Sequence, residues 1–170
     1  PFAAGRSTWI VECGEAAWRS AGLDRASETE TVEFSERLFA RHLDGHRLLA
    51  NRSLWRQFPT VRCGRWHRGN VVLLGDAAHT AHYSIGSGTK LAMEDAIALV
   101  AAFRELGTGD VSAVLAAYEA ARRVDVAKLQ RAAQVSLEWF ENASRYRVQE
   151  PFPFVFNLMT RSKRITYDNL

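Results

Sequence analysis

The spacing of hydrophobic residues changes most sharply between Asn70 and Phe103. Val71-Val72-Leu73-Leu74 is an unbroken apolar run rich in β-branching, which predicts a short strand buried on both faces, as in a parallel sheet. The run stops at Gly75-Asp76, and a polar loop with two glycines follows, Ser84-Ile85-Gly86-Ser87-Gly88. From about Thr89 the apolar positions Leu91, Met93, Ala96, Ile97, Val100 and Phe103 recur every three or four residues, the period of a helix.

On the amino-terminal side, Ser7-Thr8-Trp9-Ile10-Val11-Glu12-Cys13 reads as a strand ended by Gly14. Glu15 to Ala21 reads as a short helix with Ala17 and Trp18 towards a core and Gly22 as its stop. Ser27-Glu28-Thr29-Glu30 has capping-box spacing, and the helix behind it carries Val32, Leu38, Phe39 and Leu43 on one side. Leu54–Phe58 and Thr60–Cys63 look like strands flanking Pro59, and Gly64–Asn70 is a polar turn. Beyond Gly107-Thr108-Gly109, Asp110 caps a helix predicted from Val111 to about Tyr146. Val114, Leu115, Tyr118, Leu129, Val135, Trp139 and Phe140 form its apolar face, and its length predicts a bend near Arg122–Asp125. Pro151-Phe152-Pro153-Phe154 reads as its stop. The fold class is therefore α/β, a mixed α+β fragment, with three segments: 1–62, 63–106 and 107–170. The internal boundary falls near Arg62–Gly69.

Composition narrows the function. The 170 residues are 47% hydrophobic, enough for a real core, and begin with proline, so the chain reads as a piece of a longer protein. No apolar run has the length of a membrane span, so no membrane association is expected. Net charge is +3, with Lys and Arg scattered and no basic helix or aromatic-basic repeat, which argues against nucleic acid. Cys13 and Cys63 lack metal or redox spacing and read as reduced structural thiols of a cytoplasmic protein.

Strand, acidic turn, glycine loop and helix start form a device for holding a ligand. Open α/β sheets bind ligands at the carboxyl ends of strands, where Asp76 is delivered. The glycines let backbone approach a flat or anionic group, and the first helix amides point at it. A carboxylate suits sugar or ribitol hydroxyls better than phosphate. The expected ligand is polyhydroxylated at one end and electron-rich or anionic at the other.

The run Val71–His79, followed by Gly86-x-Gly88 and Glu94-Asp95-Ala96, resembles the second flavin-binding motif of FAD-dependent aromatic monooxygenases of the para-hydroxybenzoate hydroxylase type. The resemblance implies that Gly75, Asp76, Gly86, Ser87, Gly88, Thr89 and Lys90 contact FAD. Asp76 would meet the ribityl chain, and the amides around Gly88, Thr89 and Lys90 the pyrimidine edge of the isoalloxazine. The stretch His79–Lys90 is similar, more narrowly, to the monooxygenase part of salicylyl-CoA 5-hydroxylases and 2-aminobenzoyl-CoA monooxygenases, as is Thr160–Leu170. Most of the wider family carry proline in the loop where this chain has His82 and Tyr83, which stand as candidates for the flavin face near the substrate.

The expectation is thus the C-terminal portion of an enzyme that transfers one atom of dioxygen to an activated aromatic ring, with NADH or NADPH as electron donor. The substrate would be a small aromatic molecule carried as a CoA thioester such as salicylyl-CoA. Residues 1–62 would belong to a substrate domain, 63–106 to the flavin domain and 107–170 to a helical end, with the remainder of its own chain as partner. No G-x-G-x-x-G occurs, so the isolated piece is expected to lack hydroxylase activity.

Other chemistries fit these residues less well. His79 and His82 form H-x-x-H, but in a glycine-bounded loop and without the glutamate of a zinc-hydrolase helix, so no metal is expected. Ser84, His79 and Asp76 lack a nucleophile elbow. Glu94 and Asp95 occupy adjacent helix positions and read as packing and dipole partners; Arg122 and Arg123 read as a solvated face. A flavin hydroxylase of a free aromatic or indole substrate, and a non-catalytic helical interaction module, are the alternatives.

Overall fold

The structure, a computed structural model, describes residues 3–166, and the Tyr167–Leu170 end of the chain lies outside them. Two compact units divide the chain, one extending to Gln57 and the other beginning at Phe58.

In the first unit, α1 (Glu15–Ser20) ends ahead of Gly22, whose φ of +72° is one that glycine adopts without strain. The capping box is formed at α2 (Glu28–Leu38): Ser27 Oγ accepts from the Glu30 amide, and the Glu30 carboxylate accepts from the Ser27 amide. A short α3 (Ala40–Leu43) follows and ends at Asp44 in the left-handed region. Three expectations change here. The segment 7–13 forms no strand, because no described backbone pairs with it in a ladder. Trp9 packs its ring on Phe39 instead, at 5.4 Å between centroids. Ala17 is exposed, and Leu38 points outward at 59% exposure, while Leu23, Ser35 and Leu43 fill the interior of this unit.

In the second unit, β1 (His67–Arg68) and β2 (Val71–Val72) pair antiparallel, His67 opposite Val72 and Arg68 opposite Val71. The predicted strand is present but short, and no parallel neighbour lies among the described residues; Val71 is 62% exposed and not buried on both faces. Residues 54–58 and 60–63 form no extended strands either. One antiparallel bridge joins Arg62 to His79, closed by Cys63 N–H to Ala78 O and Thr80 N–H to Val61 O.

Two helices carry the unit. The first, α4 (Gly88–Leu106), turns Leu91, Asp95 and Ala102 inward. Met93, Ala96, Ile97 and Val100, whose spacing predicts the buried face, lie exposed. The helix is apolar nearly all round, so periodicity leaves its orientation ambiguous. The second, α5 (Val111–Glu141), starts at Asp110, whose carboxylate accepts from the Ala113 amide. It runs through Arg122–Asp125 without interruption and breaks at Asn142, whose side-chain amide donates back to Glu138 O ahead of the one-turn α6 (Ala143–Tyr146). The expected stop at Pro151 is instead the start of α7 (Pro151–Thr160), with proline in the first turn where its missing N–H costs nothing.

The core lies between α4, α5 and the turn after β2: Trp66, Ala78, Leu91, Ala102, Val114, Tyr118 and Val126. Polar ties hold the turn to α5. Gln130 Nε2 donates to both Val61 O and Thr80 O at 2.8 Å, and Tyr118 OH donates to Leu73 O at 3.2 Å. Glu119 accepts from the Trp66 amide and from His67 Nδ1, and pairs with Arg123. Burial pushes the Glu119 carboxyl up, but these hydrogen bonds outweigh it and hold it below the usual range. Among the described residues no helix is long and apolar enough to cross a membrane.

Candidate functional site

The strand leads into a 3-10 turn, Gly75–Ala77, at which the chain must pass under α4. Gly75 has φ +54°, and a Cβ there would lie 2.9 Å from the Ala92 side chain, so only glycine fits this crossing. The crossing is fixed from behind by Asp95, which is fully buried. One of its oxygens, Oδ2, accepts from the Gly75 amide at 3.0 Å and from His79 Nε2 at 2.7 Å. The other, Oδ1, accepts from Arg122 Nε at 2.9 Å, and Arg122 Nη2 reaches Glu94 at 2.9 Å. Burial alone would lower the Arg122 pKa, but the two carboxylates more than offset it and raise it. Arg122 is only 8% exposed and is part of the interior, not the solvated face its sequence context suggested. Arg123 stays on the surface, its guanidinium 5.8 Å from the Trp66 ring.

His79 is held with its ring 4.9 Å from Trp66. Its bond to a carboxylate places the proton on Nε2. Its Nδ1 is buried and has no hydrogen-bond partner among the described residues. No cluster of described His, Cys, Asp or Glu side chains has the arrangement to hold a metal ion.

The front of the same turn is different. Asp76 is exposed, and its carboxylate engages no donor among the described residues. Further along, a second 3-10 turn, Tyr83–Ile85, ends at Gly86 with φ +62°. Ser87 then precedes α4, but its hydroxyl donates back to Ile85 O and does not cap the helix. The amides of Gly88, Thr89 and Lys90 therefore open the helix with no side-chain acceptor among the described residues, where the dipole favours electron-rich groups. Lys90 itself pairs with Glu94, holding that carboxyl low. His82 and Tyr83 stack at 4.4 Å, and Phe58 meets Tyr83 edge-on at 5.0 Å, so an aromatic cluster borders the loop. His82 Nδ1 also accepts from the Ser84 amide.

Gly88 tests whether this front fits a flavin. Its φ is not in the left-handed region, and a Cβ would touch nothing within 4 Å. The fold does not require glycine there, and a backbone without a side chain leaves room for a flat ligand to approach. Together with the unengaged Asp76 carboxylate and uncapped helix amides, the donor and acceptor set fits a ribityl chain beside a pyrimidine edge. Residues 4–133 match the model of the FAD binding domain family. The chain belongs to that family.

Hydroxylases and monooxygenases are among the proteins it resembles. The chain is 43% identical over 95% of its length to a salicyloyl-CoA 5-hydroxylase of Streptomyces sp. It is 38% identical over its full length to a 3-hydroxy-4-methyl-anthranilyl-[aryl-carrier protein] 5-monooxygenase of Streptosporangium sibiricum. It is also 38% identical over 94% of its length to a protodeoxyviolaceinate monooxygenase of Chromobacterium violaceum. The alignments span between 33% and 43% of those relatives' own lengths. The resemblance to FAD aromatic monooxygenases thus holds across nearly all of the chain.

The family motif points to the front of the turn. Sequence reasoning does not assemble its back: it gives Gly75 to the ligand, reads Asp95 as a packing and dipole partner and Arg122 as solvated, whereas the structure joins the three with His79. A signal is present: Asp95 and Arg122 sit on the buried stripes Leu91, Asp95, Ala102 and Tyr118, Arg122, Val126. A charge on each of two facing apolar stripes marks a buried pair.

Proposed function

We propose that this chain forms part of a flavin-dependent monooxygenase that hydroxylates an aromatic ring borne on a thioester carrier. FAD would be held by Asp76 through ribityl hydroxyls and by the backbone at Gly75, Gly86, Ser87, Gly88, Thr89 and Lys90. Bound FAD, reduced by NADH or NADPH, supplies the activation of dioxygen. The chain's own residues bind and orient: Asp76 accepts hydroxyls, the uncapped amides of α4 face electron-rich ring atoms, and His82, Tyr83 and Phe58 exclude water beside the loop. The observation that carries the reading is the coincidence of an unengaged Asp76 with a glycine at 88 that the fold itself does not require.

The substrate class rests on relatives named for a CoA ester and for an aryl group on a carrier protein, both thioesters of a small aromatic acid. Cys13 and Cys63, both free thiols, support a reducing compartment such as the cytoplasm. Residues 1–62 are assigned to a substrate-binding part, 63–106 to the flavin motif and 107–170 to a helical end. A second reading, a flavin hydroxylase of a free aromatic or indole substrate without a thioester, is favoured by the protodeoxyviolaceinate monooxygenase, whose name carries no thioester. The full-length protein, assayed for oxidation of NADH and NADPH with salicylyl-CoA against free salicylate, separates the two. Thioester-dependent turnover with a hydroxylated product is expected; turnover with the free acid alone would select the second reading.

A further inference from the structure

The glycine loop has few internal constraints. Gly86 N–H donates to Tyr83 O, and Ser87 Oγ to Ile85 O, both within a few residues. Among the described residues, the hydrogen bonds that reach 84–87 from distant sequence come from Arg161 and Arg164, just beyond α7. Arg161 Nη2 donates to Ser84 O at 3.1 Å, and Arg164 Nη1 lies 3.4 Å from Ser87 Oγ. The two contacts share one register, arginines three apart meeting serines three apart.

Arg161 is itself oriented on every side. Its Nε donates to Oγ of the fully buried Ser136 at 3.0 Å, its Nη1 to Leu158 O at 2.7 Å, and its guanidinium lies 5.0 Å from the Phe140 ring centroid. No described carboxylate pairs with it, so its charge is directed at neutral acceptors, the Ser84 carbonyl among them. A charge-assisted bond of this kind is stronger than a neutral one, and the planar group engages α5 through Nε, α7 through Nη1 and the loop through Nη2.

We infer that Arg161 is a positioning residue that latches the segment after α7 onto the glycine loop and holds the loop in its ligand-binding shape. The inference rests on the reading of that loop as the FAD site. A loop containing Gly86 and Gly88 loses more freedom on ordering than a glycine-free loop of its length, and pre-ordering removes that cost from binding. Arg164, exposed and at longer range, contributes less.

The test uses the full-length protein and two readouts. Arg161→Met keeps an unbranched apolar side chain but removes the guanidinium and its donors; Arg161→Lys keeps the charge and an N–H donor group. Hydrogen exchange of the apo protein is expected to show peptides covering 84–89 exchanging about tenfold faster in Arg161→Met, with Arg161→Lys close to wild type. FAD titration by visible absorbance is expected to show a dissociation constant raised by about tenfold in Arg161→Met and largely restored in Arg161→Lys. Unchanged loop exchange in Arg161→Met would overturn the latch, as would a uniform rise in exchange across α5 and α7 that Arg161→Lys shares. A wild-type protein that binds no FAD would refute the flavin assignment, while the exchange measurement would still decide the latch.

Discussion

Two aspartates on either side of one turn, Asp95 of α4 behind it and Asp76 within it, have opposite surroundings, and the contrast divides holding a fold from holding a ligand. Asp95 is fully buried and takes hydrogen bonds from Gly75, His79 and Arg122. Asp76, one residue after Gly75, is exposed and takes none from the described residues. The back of the turn is satisfied by the chain itself; the front is left open, with glycine at 88 and an uncapped helix start. A carboxylate with hydrogen bonds to both oxygens supports structure, and one with none is available to something else.

The contrast can be broken most severely from behind. Asp95→Ala leaves Arg122 buried with only Glu94 opposite and the Gly75 amide unpaired, and is expected to cost about 3–5 kcal/mol of stability. Thermal or urea unfolding followed by circular dichroism reads this loss. Gly75→Ala forces a left-handed φ and a clash with Ala92, with an expected loss of about 2–4 kcal/mol in the same measurement. At the front, Gly88→Ala is expected to leave stability unchanged or raise it by about 0.5–1 kcal/mol through helix propensity. It should nevertheless weaken FAD binding, because the added methyl stands where the ligand approaches.

The smallest effects come from pH and sharpen the role of α5. The Glu119 carboxyl lies below its usual 4.5 in the folded chain, so its stabilising contribution is complete above about pH 4.5 and is lost as pH falls through the lower folded value. Burial, with Asp95 nearby, pushes the Tyr118 hydroxyl from 10 up to about 12. The folded state therefore favours the neutral phenol, and that contribution is present below pH 10 and lost as pH rises through about 12. Melting temperatures measured across both ranges are expected to fall at each end, and Tyr118→Phe to remove the alkaline component.

Local devices are legible in the sequence, and orientation is not. The capping box at Ser27, the Asp110 cap and the start of α4 depend on neighbours within a turn, and each can be read from its residues. The strand expected at 7–13 needs a partner that spacing cannot supply. Met93, Ile97 and Val100 have core spacing because α4 is apolar on several faces, and only packing against α5 decides which face is buried. Pro151 reads as a stop because proline both ends and begins helices, and the apolar run from Phe152 to Met159 makes it a beginning. The flavin motif is legible as a family pattern. Its support by Asp95 and Arg122 is not, since it requires α4 and α5 to be placed side by side.

We propose that the open front of the turn holds FAD through Asp76. The most direct test is FAD titration of the full-length protein, followed by visible absorbance, for wild type and Asp76→Ala with unfolding measured in parallel. The account expects a saturable flavin band in wild type, a dissociation constant about 10- to 100-fold higher in Asp76→Ala, and unfolding unchanged within about 0.5 kcal/mol. A wild-type protein that takes up no FAD, or an Asp76→Ala variant that binds it equally well, would contradict it.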